Sequence, residues 1–143
     1  MTALNRTAVD RLTIVADLGP VRAIEPIRGS ANNRAFRVEG ERGTAFLKAY
    51  YRHPVDARDR LGAEFAFARF ARAAGVRDIP QPLACDPAAN LGLFEFVTGV
   101  RPIEATASLV GQALAFVRDL NAARWRPAAS RLPAAAEACF SVE

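Results

Sequence analysis

Lysine is almost absent from this chain, although the chain is basic. Lys48 is the only lysine among 19 lysine and arginine residues, so all the other basic residues are arginines. The arginines are interspersed with acidic residues, no block of like charge occurs, and the net charge is +4. This pattern is typical of a solvated surface rather than of a nucleic-acid footprint. We therefore expect no nucleic-acid partner.

The sequence also lacks metal-binding motifs and long hydrophobic runs. Cys85 and Cys139 are the two cysteines, and their wide spacing indicates free thiols in a reducing cytoplasm. The one histidine, His53, stands in a loop and is expected at the surface. Charges interrupt residues 1–19, and no apolar run approaches the ~20 residues that cross a bilayer. The sequence predicts a cytoplasmic protein with no membrane association and no metal site of its own.

Hydrophobic periodicity predicts an α+β fold. Hydrophobic residues make up 51% of the chain, which is enough for a core. A helical period predicts helices over about 5–18, 56–74 and 106–123, with another beginning at Ser130. Alternation predicts strands over 21–27, 35–39, 45–50, 82–86 and 91–97. The expected architecture is a five-stranded antiparallel sheet with a packed helix, followed by further helices.

Two charged residues stand where apolar neighbours are expected. Alternation along the third strand places Phe46, Lys48 and Tyr50 on one face. Burying an unpaired ammonium between aromatic rings is costly, so Lys48 needs an anion. Glu64 lies on the apolar stripe of the following helix and needs a cation. We predict a Lys48–Glu64 ion pair, and an ordinary structural pair or a lysine that extends to water stays open as its explanation.

Four segments occur in an informative order. They are Gly29–Val38 (GSANNRAFRV), Ala45–Lys48 (AFLK), Leu93–Gly99 (LFEFVTG) and Ala113–Asn121 (ALAFVRDLN). They resemble, in turn, the phosphate loop, lysine strand, nucleotide hinge and Leu-Ala-x-Leu-His helix of the aminoglycoside phosphotransferase and choline kinase family. The resemblance covers nearly the whole chain. Asn121 replaces the histidine of the last motif, and Ser30 replaces the second glycine of the first.

The resemblance implies a protein-kinase-like N-terminal lobe that binds ATP. In that family Lys48 would contact the α and β phosphates and would be held in place by Glu64. A compact ammonium suits such a site, whereas the planar fork of arginine would not fit the same space. The loop that contains Gly29, Ser30 and Asn33 would cover the phosphates with its backbone N–H groups.

The same resemblance assigns the adenine site to the fifth strand. The Glu95 carbonyl and the Val97 N–H would face the base, and Phe94 would be the bulky residue behind it. Phe46, two residues before the lysine, is larger than the residue usual at that position. It is therefore expected to narrow the adenine slot.

The catalytic residues of the family have no counterpart in this sequence. Its His-x-Asp-x-x-x-x-Asn motif and its later Ile-Asp, which orient the acceptor and hold Mg²⁺, are absent. Asp119 follows an arginine as in such a motif, but Arg124 stands at the asparagine position. Asp119 also lies too close behind the hinge and is expected to face water. We predict that ATP could be bound here but that the Mg²⁺ ligands lie outside this chain.

These absences predict a fragment of a small-molecule kinase. Residues 1–97 would form the nucleotide-binding lobe, and 98–143 the hinge and first helices of a truncated second lobe. The missing lobe would bind the acceptor hydroxyl, of an amino sugar, a choline-like alcohol or another small molecule. The fragment is expected to be inactive and to self-associate through exposed C-terminal helices. The alternative is a non-catalytic kinase-like module that binds a protein partner.

Overall fold

An antiparallel sheet carries one helix on each face in the computed structural model, which describes residues 4–27, 34–52, 58–100 and 102–133. The elements are α1 Arg6–Val15, β1 Val21–Ile27, β2 Arg34–Gly40, β3 Thr44–Ala49, α2 Arg60–Ala73, β4 Pro82–Asp86, β5 Leu91–Glu95 and α3 Ala107–Ala123. A short 3₁₀ helix, Pro127–Arg131, follows α3. The predicted α+β class is confirmed.

The described strands form a five-stranded sheet in the order β1-β2-β3-β5-β4. Every neighbouring pair is antiparallel, as predicted. β3 is the central strand, and Lys48 lies opposite Ala35 on one side and Gly92 on the other. We call these residues and their further partners the Lys48 row: Ile27, Ala35, Lys48, Gly92 and Cys85.

The hydrophobic core lies between α1 and the face of the sheet opposite Lys48. Val9 of α1 and Val38, Leu47 and Leu93 of the sheet are fully buried there. Because side chains alternate along a strand, the burial of Leu47 on this face directs Phe46 and Lys48 to the other. The core therefore determines which face of β3 carries the ammonium.

α2 packs on the Lys48 face, against β4 and β5. Asp59 caps it, since the carboxylate accepts a hydrogen bond of 2.8 Å from the Gly62 N–H. The predicted start near Asp56 is wrong, because Asp59 lies outside the helix; Asp56 itself is outside the described residues. Gly75, with a φ of +94°, ends the helix as predicted.

The fifth strand is shorter than the sequence predicts. β5 ends at Glu95 rather than at Val97. Ala45 pairs with Glu95, and β3 begins at Thr44 after a turn, so no strand residue of β3 is left to pair with Val97. Val97 therefore lies outside the sheet, as does Phe96.

α3 exposes most of its apolar residues. Val110, Leu114 and Val117 are 48%, 65% and 51% exposed, and Ala123 is the buried residue of this helix. The helix predicted to begin at Ser130 is not confirmed, because Ser130 lies inside the 3₁₀ helix; residues 134–143 are outside the described residues. Within the described ranges, no helix is long and apolar enough to cross a membrane.

We expect the apolar surface of α3 to drive self-association. Contiguous exposed apolar side chains of this kind are rare on monomeric proteins. The double substitution Leu114→Glu and Val117→Glu should lower the weight-average mass in sedimentation equilibrium toward that of a monomer. Arg118→Glu changes charge on the same helix without removing an apolar side chain, and it should leave the mass unchanged. A wild-type protein that is monomeric at about 100 µM would contradict the prediction.

Candidate phosphate-binding site

The predicted ion pair forms between β3 and α2. The Lys48 ammonium Nζ lies 2.6 Å from Glu64 Oε2, and the two side chains are 22% and 43% exposed. Glu64 lies on the same helical stripe as Leu61, Ala68 and Ala71, as predicted, but unlike those three residues it stays partly exposed to solvent. Partly exposed pairs stabilise a fold by at most about 1 kcal/mol. The pair therefore contributes little to the stability of the fold, and part of the Lys48 side chain stays exposed.

Tyr50 lies beneath the ammonium. The Lys48 Nζ is 4.8 Å from the centroid of the Tyr50 ring, within the range of a cation–π contact. Tyr50 is 7% exposed, and its hydroxyl makes no hydrogen bond to any described residue. Burial, together with the negative charge of Glu64, raises the pKa of Tyr50 above its usual range. The hydroxyl therefore stays protonated.

Gly92 makes room for this arrangement. A Cβ at this position would lie 2.9 Å from the Phe94 ring, 3.0 Å from Leu61 Cδ1 and 3.3 Å from the Tyr50 ring. Three side chains thus converge on the space that a larger residue would fill. Since Gly92 is the β5 partner of Lys48, the missing side chain lets α2 approach the sheet beside the ammonium.

The next row whose side chains point to the Lys48 face is aromatic and contains an arginine. Arg37, Phe46 and Phe94 are successive partners on β2, β3 and β5. Phe94 is 5% exposed and packs on Phe65, with ring centroids 5.6 Å apart. Because it is buried, Phe94 can form the rear wall of a binding site but not its solvent-facing side. The Arg37 guanidinium lies 5.6 Å from the centroid of the Phe96 ring. Phe46 is half-buried on this face.

A hydrogen-bonded cluster joins the end of β5 to the loop between α2 and β4. Glu95 Oε2 accepts a hydrogen bond of 3.0 Å from the Gln81 N–H and lies 3.9 Å from the Arg72 guanidinium. Arg72 also donates to the carbonyls of Arg77 and Ile79 at 3.0 and 3.2 Å. Arg72 was not among the predicted site residues, although it lies in the last turn of α2, where cations are favoured.

Several predicted site residues lie outside the sheet or outside the described residues. Val97 is described and 63% exposed, beyond the end of β5. Gly29, Ser30 and Asn33 lie outside the described residues, as do His53 and Cys139. Ile27 directly precedes segment 28–33 and Ala35 is the second residue after it, and both belong to the Lys48 row. Cys85, in the same row, is a free thiol.

The described part of the chain holds no cluster of three or more His, Cys, Asp or Glu side chains that could bind a metal ion. Asp119 is 53% exposed and pairs with Arg118 at 3.1 Å, so it faces water as expected. An open hollow of about 350 Å³ lies between residues 102–105 and the start of α3. Its lining includes neither Lys48 nor Glu64, so it is separate from the ion pair.

Comparison with known proteins identifies the family. No curated protein matches the chain significantly. A protein-family model, described as the phosphotransferase enzyme family, matches residues 23–138. The match includes strands β2 to β5, β1 from residue 23 onward, Lys48, Glu64 and the whole of α3, and it extends over more than half of the chain. The chain therefore belongs to the phosphotransferase enzyme family.

Proposed function

We propose that this chain binds ATP on the Lys48 face of the sheet and forms the nucleotide-binding part of a kinase that phosphorylates a hydroxyl group. The observation that carries the proposal is the 2.6 Å pair between Lys48 and Glu64 in a chain of the phosphotransferase family. Phosphotransferases position a lysine against the phosphates of ATP and rely on electrostatic stabilisation of the transferred group.

The surroundings of the ammonium support phosphate binding. Lys48 is anchored by one carboxylate and one ring face, and part of its side chain stays exposed. The amine carries three N–H donors, so a phosphate oxygen can bind without breaking the pair with Glu64. Strands β1 and β2, which segment 28–33 connects, place Ile27 and Ala35 in the Lys48 row, which supports a role for Gly29, Ser30 and Asn33 in covering the phosphates.

The row formed by Arg37, Phe46 and Phe94 supports a binding site for the adenine base. In our proposal the adenine lies against Phe46, with Phe94 behind it and the Glu95 carbonyl and Val97 N–H at its edge. Flat aromatic faces suit a purine base. The contacts of Glu95 with Gln81 and Arg72 would hold these backbone groups in place.

Phosphoryl transfer needs groups that this sequence does not supply. The aspartate that orients the acceptor and the Asn and Asp ligands of Mg²⁺ would come from outside it. We therefore propose that these 143 residues bind nucleotide but do not transfer phosphate. The division between the two lobes at residues 97 and 98 stays a prediction, as does the class of acceptor.

The single lysine provides a direct test of nucleotide binding. Acetylation of Lys48 by acetic anhydride can be followed by mass spectrometry, with the N-terminal amine as an internal reference. ATP–Mg²⁺ and ADP–Mg²⁺ should slow the acetylation of Lys48 at least about fivefold, since bound phosphates would occupy the ammonium. Adenosine, which has no phosphate, should give much weaker protection. Equal rates with and without ATP–Mg²⁺ would contradict the proposal.

A protein-binding module is the second candidate. The observation that favours it is the exposed apolar surface of α3, with Leu114 65% exposed. Such a module would show no protection of Lys48 by nucleotides. Its partner would instead protect the amides of α3 from hydrogen exchange.

A further inference from the structure

The buried hydroxyl of Tyr50, beside the ion pair, has no hydrogen-bond partner among the described residues. Tyr50 is 7% exposed, whereas its neighbour Tyr51 is 64% exposed. A buried hydroxyl without a hydrogen bond is unfavourable. The hydroxyl therefore does not explain why the Tyr50 side chain is buried. The contacts of its aromatic ring explain it instead.

The Tyr50 ring makes two contacts that suggest a role in positioning Lys48. One is the Lys48 ammonium, 4.8 Å from the ring centroid. The other is the space above Gly92, which the ring edge enters with Leu61 and Phe94. The Tyr50 backbone extends the ladder beyond β3 by donating a 2.9 Å hydrogen bond to the Asn90 carbonyl. The ring is thus fixed from both sides and cannot readily move away from Lys48.

We propose that Tyr50 is a positioning residue for the phosphate-binding lysine. Its ring supports the Lys48 ammonium from the sheet side, while Glu64 holds it from the α2 side. Lysine is flexible, and two fixed contacts restrict it to the orientation from which it can reach a phosphate. The consequence for nucleotide affinity rests on the proposed ATP site, whereas the effect on Lys48 itself does not.

Two variants separate the ring from the hydroxyl. Tyr50→Phe keeps the ring and removes the unpartnered hydroxyl, so it should fold at least as stably as wild type. Tyr50→Leu removes the ring and keeps a buried apolar side chain. Tyr51→Leu is the matched control, because it makes the same chemical change at an exposed neighbouring position.

The first measurement uses the lysine signal and needs no nucleotide. In protein labelled with ¹³C-lysine, the Hε protons of Lys48 give one unambiguous signal, because the chain has no other lysine. The ring current of Tyr50 should shift this signal upfield in wild type, Tyr50→Phe and Tyr51→Leu. In Tyr50→Leu it should return to the position of a free lysine. An unshifted signal in folded wild type, or a shift that persists in Tyr50→Leu, would overturn the proposal.

The second measurement is ATP–Mg²⁺ affinity by calorimetry. Tyr50→Leu should weaken binding about 3- to 10-fold, the range expected from loss of one cation–π contact. Tyr50→Phe and Tyr51→Leu should bind like wild type. Equal affinity in Tyr50→Leu would count against a positioning role. Absence of binding in wild type would refute the proposed function, while the lysine signal would still decide whether Tyr50 positions Lys48.

Discussion

Replacing Lys48 by methionine should weaken ATP–Mg²⁺ binding about 10- to 100-fold, because one hydrogen bond to a charged group contributes about 1.5–3 kcal/mol. Methionine keeps the length of the side chain and removes only the ammonium. Isothermal titration calorimetry gives the affinity. The free energy of unfolding should change by at most about 1 kcal/mol, because the Lys48–Glu64 pair is partly exposed. A large loss of affinity with a small loss of stability would identify Lys48 as a ligand-binding residue.

Two further variants show whether charge or position matters. Arg22→Met removes a positive charge from an exposed side chain at the far end of β1, and it should leave affinity nearly unchanged. Lys48→Arg keeps the charge but replaces a compact ammonium with a planar fork, so it should not restore wild-type binding. If all three variants bound ATP equally well, the assignment of Lys48 would be wrong.

Gly92→Ala should lower the free energy of unfolding by about 1–3 kcal/mol, the usual cost of overfilling a packed site. The added methyl group would enter the space where Phe94, Leu61 and Tyr50 meet, at distances of 2.9 to 3.3 Å. Relief requires a shift of these side chains. Urea unfolding followed by circular dichroism measures the change. The displaced Tyr50 ring should also reduce the upfield shift of the Lys48 Hε signal.

Gly111→Ala is the matched control for this substitution. Gly111 lies within α3, and a Cβ there would meet no atom within 4 Å. Alanine has the higher helix propensity, so this variant should gain up to about 1 kcal/mol. The two glycine-to-alanine changes should thus have opposite signs. A neutral or stabilising effect of Gly92→Ala would show that the space beside Lys48 is not closely packed.

The order of the elements could be predicted because each follows from local pattern. Alternation gave the five strands, and the helical period gave the helices that carry Glu64 and Leu114. The incorrect predictions concern the ends of helices and strands, because contacts with neighbouring segments determine where an element begins and ends. α2 begins at Arg60 because Asp59 caps it, and β5 does not reach the predicted Val97 because no strand residue of β3 lies opposite Val97. Ser130 belongs to a 3₁₀ helix instead of starting an α-helix.

The Lys48–Glu64 pair could be predicted because each charge stood in an apolar pattern that requires a partner. The sequence also placed Tyr50 on the face of Lys48. The fixed position of the ring could not be predicted, because it depends on the register that brings Gly92 opposite Lys48. The link between Arg72 and Glu95 was missed because it joins the end of a helix to a strand across a loop.

The sequence by itself determined the strand and helix content, the face of β3 that carries Lys48, and the need of that residue for an anion. These properties follow from side-chain period and from the cost of burying a charge. Only the tertiary structure decided that the pair is partly open to solvent, that Tyr50 lies beneath it, and that Gly92 leaves room for both. These properties depend on strand register and on how closely α2 approaches the sheet, and both arise from packing between segments distant in the chain.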